Sequence, residues 1–266
     1  MSKAKLWTKD FIILMGTNFC IALTFYTLMT TMASYAIQEF QASESNAGFA
    51  ASIFVLAAVF SRLLVGKFIE LIGRRKILYV SLAVFLIASL CYFPIHNMYM
   101  LLAVRFLHGA AFGSASTSMM TAVMSLIPDS RRGEGTGYFS LSSTVGTAVG
   151  PFLGLFISQH ADYSAVFVAC AIFAVIAIGI TIFARIPEIT LTPEQRQQIR
   201  HSLKLRDFFE KNVLPISIIM ILMGVAYSGI VSFINTYAES RNLTDAASYF
   251  YIVYAIVLFA SRPFTG

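Results

Sequence analysis

A short charged segment, Gly66-Lys67-Phe68-Ile69-Glu70-Leu71-Ile72-Gly73-Arg74-Arg75-Lys76, separates two long apolar runs. The run before it, residues 46–65, contains one charged residue, Arg62, and the run after it, residues 77–99, contains none. The segment itself carries four cations and one carboxylate in eleven residues. Each apolar run is long enough to cross the ~30 Å hydrocarbon core of a bilayer as a helix. We therefore predict a tight loop over 66–76 that joins two membrane helices on one side of the membrane.

The composition of the whole chain is that of a membrane protein. Of its 266 residues, 58% are hydrophobic and 12% are charged, and the mean hydropathy is +0.75. A soluble domain carries about 25% charged residues. The runs of about 20 apolar residues are continuous rather than alternating, which excludes a transmembrane β-barrel. The sequence therefore predicts an all-α polytopic membrane protein.

Eight apolar segments predict eight membrane helices. Most of the connections between them are short, so consecutive helices are expected to be antiparallel neighbours. The predicted spans are residues 10–37, 46–66, 77–95, 98–126, 136–158, 164–184, 213–238 and 246–265.

The basic residues are distributed unevenly between the two sides of this arrangement. Fifteen of the 19 Lys and Arg residues fall at the N-terminus or in the connections 66–76, 127–135 and 185–212, and only Arg241 falls in a connection on the other side. Cytoplasmic loops carry the excess of Lys and Arg in membrane proteins. We therefore predict a multi-pass plasma-membrane protein with a cytoplasmic N-terminus. The net charge of +6 then reflects topology and the lipid bilayer, not a nucleic-acid partner.

The hydrophilic segment 185–212 divides the predicted helices into two groups. Residues 1–184 are predicted to form an N-terminal six-helix bundle, and residues 213–266 the first two helices of a second bundle. Residues 185–212 are predicted to be a cytoplasmic linker with a helix that begins near Thr192, because Thr192-Pro193 and Gln195 match a capping box.

A weak internal repeat links the two groups. Shifting the chain by 200 residues places Ser61-Arg62-x-x-x-Gly66 on Ser261-Arg262-x-x-x-Gly266. Transporters built from two parallel halves, each made of inverted three-helix repeats, show such symmetry. The repeat predicts a chain truncated after its eighth helix, from a protein of about 400 residues with two halves of ~200.

The charged segment has the order Gly66, three residues, Glu70, two residues, and then Gly73-Arg74-Arg75-Lys76. This order resembles the loop signature of the major facilitator superfamily, Gly-x-x-x-Asp-Arg-x-Gly-Arg-Lys/Arg. Two positions differ, because Glu70 stands for the aspartate and Leu71 for the first arginine. The resemblance implies the major facilitator fold and a cytoplasmic gate loop. The gate residues would be Gly66, Glu70, Gly73, Arg74, Arg75 and Lys76.

The fourth predicted span contains Arg105, seven residues or about 11 Å from its outer end. A cation at such a depth costs ~2.5–3.5 kcal/mol unless it is paired or hydrated. Arg105-x-x-His108-Gly109 resembles the Arg-x-x-Gln-Gly motif of the superfamily, and the resemblance implies a role in proton coupling or substrate binding for Arg105 and His108. The alternatives are an arginine held by backbone carbonyls of a neighbouring helix and a neutral His108 that substitutes for the glutamine.

The fifth predicted span contains Gly146-x-x-x-Gly150-Pro151-x-x-Gly154. Small residues one turn apart allow a partner helix to pack closely, and the proline removes a backbone donor. The order resembles the fifth-helix motif of drug:proton antiporters in the same superfamily, which favours efflux over uptake. Ordinary tight helix packing is the alternative.

Polar stripes on two spans are candidates for the walls of a substrate cavity. Hydroxyl groups in membrane helices also bond to their own backbone, so packing is the alternative for each stripe. The candidates are Thr24, Thr27 and Thr31 in the first span, and Ser228, Ser232 and Asn235 in the seventh.

Together the motifs predict a secondary active transporter that moves a small organic solute by alternating access, with proton-coupled efflux favoured and a monomer as the full-length state. No enzyme signature such as His-Glu-x-x-His or Gly-x-Ser-x-Gly occurs in the sequence. We therefore expect no enzyme, no cofactor and no metal site. Two alternatives stay open, an uptake permease for a metabolite or metal chelate and a membrane sensor or scaffold without transport.

Overall fold

The computed structural model describes residues 5–201 and 211–241, together with 249–250, 253–254, 256–257 and 260. Over these residues the regular secondary structure is helical and contains no strand, which confirms the predicted all-α class. A 3₁₀ turn at Asp129–Arg131 precedes the fifth helix. The helices are α1 (Lys9–Phe40), α2 (Glu44–Ile72), α3 (Arg74–Leu90), α4 (Met98–Leu126), α5 (Arg132–His160), α6 (Tyr163–Thr181), α7 (Pro193–His201) and α8 (Leu214–Ser240).

Six helical segments within the described part of the chain are long and apolar enough to cross a membrane. They are α1, α2, α4, α5 with its 3₁₀ turn, α6 and the first part of α8. The predicted third span is the short helix α3, whose 17 residues cover about 25 Å. It packs in the same bundle against α4 and α6. The predicted eighth span, 246–265, falls largely outside the described residues.

The predicted loop over 66–76 is wrong, because the connection between α2 and α3 is the single residue Gly73. α2 continues through Gly66 to Ile72, and Gly73 alone interrupts the helix with a left-handed φ of 104° that favours glycine. Residues 67–72 include the good helix formers Lys67, Glu70 and Leu71, and Ile69 buries its side chain in the bundle. The basic run after Gly73 therefore forms the first turn of α3 rather than part of a loop.

Side chains cap the N-termini of four helices of the bundle. Thr8, Ser43, Asn97 and Asp162 each accept a hydrogen bond from the backbone N–H three residues on, at 3.3, 3.4, 2.9 and 3.1 Å. Such caps satisfy an otherwise unpaired donor of the first turn and stabilise a helix by about 1 kcal/mol. α3 differs, since Gly73 offers no side chain for this purpose.

Two close helix pairs organise the bundle. α1 packs along α5, and α2 packs along α4, in both cases through glycines. A Cβ atom on Gly109 or Gly113 of α4 would collide with the backbone carbonyls of Phe54 or Ala58 on α2. In a protein with two three-helix repeats, α1, α2 and α3 correspond to α4, α5 and α6. Under this correspondence the α1–α5 pair is equivalent to the α2–α4 pair, as expected for inverted three-helix repeats. Buried side chains fill the bundle, and large apolar side chains such as Phe60 and Ile176 are exposed on its outer surface.

Candidate functional site

The residues around Gly73 form a buried ion cluster at the end of the bundle where α2 and α4 terminate and α3 begins. Arg74 is 3% exposed, and its Nε donates to Glu70 Oε1 at 2.9 Å. Its Nη1 donates to Ser125 Oγ at 2.6 Å on the last turn of α4. The predicted acid at the end of α2 and the first cation of α3 thus form an ion pair across Gly73, and the Arg74–Ser125 hydrogen bond ties this pair to α4.

A residue that was not predicted from the sequence completes this cluster. Glu188, in the segment after α6, accepts hydrogen bonds from the backbone N–H groups of Arg74 and Arg75, at 3.1 and 2.8 Å. A carboxylate at this place satisfies the unpaired donors of the first turn and lies at the positive end of the helix dipole. The Glu188 carboxylate therefore caps α3, and a Cβ atom on Gly73 would lie only 3.3 Å from it.

The side chains of Arg75 and Lys76 and the backbone of Gly66 do not belong to the ion cluster. Arg75 and Lys76 are exposed, and the Arg75 guanidinium lies 5.8 Å from the centre of the Tyr79 ring. Gly66 lies inside α2 with open space around its Cα, so it makes no close helix contact among the described residues.

The Arg105 guanidinium is fully buried between α4 and α2. Its Nε donates to the Ala50 carbonyl at 2.9 Å and its Nη2 to the Ala51 carbonyl at 3.0 Å. Its guanidinium carbon, Cζ, lies 4.7 Å from the centre of the Phe54 ring. This geometry matches the alternative stated in the sequence analysis, an arginine held by backbone carbonyls of a neighbouring helix. A role of Arg105 in proton coupling stays a prediction.

His108 is also fully buried, in a small polar group between α3 and α4. Its Nδ1 lies 3.2 Å from the Tyr92 hydroxyl and its Nε2 lies 3.4 Å from Ser89 Oγ. The Phe85 ring packs against the imidazole with a centroid distance of 4.2 Å. Arg105 and His108 therefore lie on one face of α4, but each has separate hydrogen-bond partners.

The fifth-helix glycines form the contact surface for α1. Added Cβ atoms would lie 2.9 Å from Ala22 Cβ at Gly146, 2.6 Å from Tyr26 Cβ at Gly150, and 2.9 Å from the Thr27 carbonyl oxygen at Gly154. Pro151 lies inside α5 and is buried in this contact. The motif therefore acts in close helix packing, through which polar groups of α1 meet the α5 backbone.

The predicted polar stripe on α1 does not line either of the two cavities described below, and Thr27 and Thr31 lie at this same α1–α5 contact. Thr24, Thr27 and Thr31 are buried, and Thr27 Oγ1 donates to the Gly150 carbonyl at 3.0 Å. The hydroxyls of Thr24 and Thr31 donate to carbonyls one turn earlier in α1. On α8, Ser228 is exposed and donates to the Val225 carbonyl at 2.9 Å. The side chains of Ser232 and Asn235 lie outside the described residues.

Two adjoining cavities open between α1, α2, α4 and α5, with volumes of about 350 and 580 Å³. Five residues line both of them: Asn18, Tyr26, Arg62, Ser116 and Ser143. The smaller cavity is walled by aromatic and aliphatic side chains, and the larger by Ser and Thr hydroxyls. Both volumes fall in the range of ~300–1,000 Å³ that is typical of small-molecule sites.

The sequence offers a signal for some of these five residues. Arg62 is the one charge in its apolar run, and a charge inside a membrane span indicates a functional site. Asn18 is the one amide in the apolar part of α1 from Phe11 to Ile37. The placement of Ser116 and Ser143 opposite them depends on which helices become neighbours, and the sequence does not specify this. Among the described residues, no group of three or more His, Cys, Asp or Glu could hold a metal ion.

Comparisons with known proteins agree with this architecture. The profile of the Major Facilitator Superfamily matches residues 14–266. The chain is 25% identical over 228 residues to the staphylopine export protein of Staphylococcus aureus, covering 83% of this chain and 56% of that protein. It is 29% identical over 202 residues to the efflux pump FUBT of Fusarium oxysporum, covering 75% and 34%. It is 32% identical over 127 residues to the MFS-type transporter oryF of Aspergillus oryzae, covering 47% and 26%.

Solved transporter structures share the fold at low sequence identity. A POT family transporter in complex with a thioalcohol-conjugated peptide has a TM-score of 0.62 at 15% identity, covering 86% of this chain and 49% of that one. A peptide transporter POT in complex with sulfate has a TM-score of 0.61 at 14% identity, covering 83% and 46%. The chain thus spans less than two thirds of the length of each of these proteins. These relatives are transporters and not enzymes, and the predicted family is confirmed: the chain belongs to the Major Facilitator Superfamily.

Proposed function

We propose that this chain provides the N-terminal half and the beginning of the C-terminal half of a secondary transporter. The transporter moves a small organic solute across the plasma membrane by alternating access. The observation that carries the proposal is the pair of cavities between α1, α2, α4 and α5, which places a cation, an amide and several hydroxyls inside a bundle of membrane helices. Polar groups at this depth are costly and are retained where they serve a solute pathway.

The orientation of the bundle follows from the basic residues. Lys9 and Arg74 begin α1 and α3, and Arg131 and Arg185 lie between helices at the same end of the bundle. The positive-inside rule assigns this end to the cytoplasm. The ion cluster of Glu70, Arg74 and Glu188 is then at the cytoplasmic end, as a gate element requires. Residues 1–184 act as one bundle, residues 185–212 link it to the next, and residues 213–266 begin the second; the full-length protein is a monomer.

Export is the favoured direction of transport. Two of the relatives are named as an export protein and an efflux pump, and the glycine motif of α5 is of the antiporter type. Uptake of a metabolite or metal chelate is the competing outcome of the test below. A sensor or scaffold without transport has less support, because two cavities with polar linings open between helices that can cross a membrane.

The coupling ion of the proposed exporter is the proton. The lining of the two cavities includes no Asp or Glu among the described residues, so a coupling carboxylate is not part of this face. Arg105 and His108 are the buried ionisable groups of α4 that remain as candidates on this chain.

Vesicles of defined orientation test both direction and coupling. We expect inside-out vesicles that contain the full chain to accumulate ethidium or fluorescein when their lumen is acidic, and expect the accumulation to collapse with an uncoupler. Vesicles without the protein are the control. Accumulation confined to right-side-out vesicles would contradict export, and the absence of protein-dependent flux of either dye in both orientations would contradict transport of amphipathic solutes.

A further inference from the structure

Arg62 is an unpaired cation inside a membrane helix. It lies ten residues before the end of α2 at Ile72, which is about 15 Å along the helix. Among the described residues it makes no salt bridge and no hydrogen bond, and its guanidinium carbon lies 5.7 Å from the centre of the Phe112 ring. By contrast, Arg105 has two carbonyl partners and Arg74 has a carboxylate. Arg62 is exposed, whereas Arg74 and Arg105 are buried, and its charge lacks the compensation that those two arginines have.

The neighbours of Arg62 in the cavities add donors but no negative charge. Ser143 Oγ accepts a hydrogen bond from Asn18 Nδ2 at 2.7 Å, so its own proton is directed away from Asn18, and it has no acceptor among the described residues. The Tyr26 hydroxyl likewise has no hydrogen-bond acceptor there. Three side chains thus present unused donors to one space whose described lining contains no Asp or Glu. Such an arrangement is complementary to an anion.

The smaller cavity supplies an apolar surface beside these donors. The rings of Phe25, Phe54 and Phe112, from α1, α2 and α4, form a stacked cluster with centroid distances of 5.1 to 5.4 Å. The Arg62 guanidinium lies at the edge of this cluster, against Phe112. A ligand could therefore place an acidic group at Arg62 and a flat apolar group against the rings.

We propose that the two cavities form one binding site for an amphipathic organic anion, with Arg62 binding its carboxylate. Tyr26 and Ser143 donate hydrogen bonds to the same carboxylate, and the Phe25–Phe54–Phe112 cluster binds its apolar part. A planar guanidinium donates to both oxygens of a carboxylate at once, which gives affinity and orientation together. The proposal rests on the proposed transport function for the role of this anion as cargo, whereas the binding itself does not depend on transport.

Binding of a matched pair of probes tests the site. The full chain in detergent is titrated by calorimetry with 3-phenylpropionate and with 3-phenylpropionamide, which differ in charge but hardly in shape. Hydrogen bonds to a charged group add about 1.5–3 kcal/mol, so the protein should prefer the carboxylate by roughly ten-fold or more. Arg62→Gln should reduce this preference to less than about three-fold. Arg62→Lys, which keeps the charge, should retain part of it.

Arg132→Gln is the matched control, because it removes one cation from an exposed pair with Asp129 outside the cavities. It should leave the preference unchanged, and size-exclusion profiles should show that all three variants are folded. The proposal is overturned if the unmodified chain binds both probes equally or binds neither. It is also overturned if Arg62→Gln keeps the full preference for the carboxylate. Carboxylate-selective binding without vesicle transport would instead contradict the proposed function and leave the anion site in place.

Discussion

Replacement of Gly150 by alanine should loosen the contact between α1 and α5. The added methyl carbon would lie 2.6 Å from Tyr26 Cβ, 3.1 Å from the Thr27 nitrogen and 3.2 Å from the Leu23 carbonyl oxygen. Carbon atoms pack best about 3.5–4.0 Å apart. Since these neighbours are backbone atoms and a Cβ atom, none can rotate away, and the two helices must separate by about 1 Å to reach that distance.

The size of the effect follows from three terms. Overpacking of this kind costs about 1–3 kcal/mol. The hydrogen bond from Thr27 Oγ1 to the Gly150 carbonyl, 3.0 Å long, contributes about 1 kcal/mol that the displacement weakens. Alanine has a higher helix propensity than glycine, and this difference offsets about 1 kcal/mol of the destabilisation. We therefore expect Gly150→Ala to destabilise the bundle by about 1–3 kcal/mol.

The same substitution at Gly137 of α5 is the matched control, because an added Cβ atom there would meet no atom within 4 Å. Gly137→Ala should be neutral or slightly stabilising. In thermal unfolding in detergent, the melting temperature of Gly150→Ala should lie roughly 4–10 °C below that of Gly137→Ala. Melting temperatures that agree within about 1 °C would refute the close α1–α5 contact as a determinant of stability.

Two further predictions concern Glu188 and Arg105. Glu188→Ala should speed hydrogen exchange of the Arg74 and Arg75 amides about two- to five-fold, because the cap contributes about 0.5–1 kcal/mol. Glu194→Ala, in exposed α7, is the control. Equal exchange rates of these amides in both variants would contradict the cap. Arg105→Met removes both hydrogen bonds to α2 but keeps most of the side-chain volume, so it should lower the melting temperature less than Arg105→Ala. If the role of Arg105 is structural, a stable Arg105→Met protein should keep proton-driven dye accumulation. Loss of the accumulation in a stable Arg105→Met protein would instead support coupling.

The segment around Gly73 shows which parts of the fold the sequence determines. The apolar runs on either side of it predict α2 and α3, because each run is long enough to span a bilayer. The expected loop over 66–76 was too long, since helix propensity extends α2 to Ile72 and an acid from elsewhere caps α3. Glu188 is 114 residues from Arg74 in the sequence, and no local pattern indicates such a partner.

In the candidate site, too, the sequence does not show which distant residues a side chain will contact. The glycines of α5 could be predicted to pack closely, because small residues one turn apart have few other uses in a membrane helix. The helix that packs against these glycines could not be predicted. Because this helix is α1, Thr27 and Thr31 face α5 instead of a cavity. Asn18 and Arg62 face the cavities for the same reason, since the neighbours of α1 and α2 determine which of their polar residues are covered.

The accessibility of residue 143 tests most directly whether these cavities form an alternating-access pathway. Ser143→Cys is prepared in a chain whose native Cys20, Cys91 and Cys170 are replaced by serine or alanine, and is treated with a membrane-impermeant thiosulfonate in right-side-out and in inside-out vesicles. Ile176→Cys, at an exposed apolar position of α6, is the control for reaction through lipid. We predict modification of Ser143→Cys from both sides of the membrane and of Ile176→Cys from neither. Modification of Ser143→Cys from one side alone, or from none, would contradict the pathway.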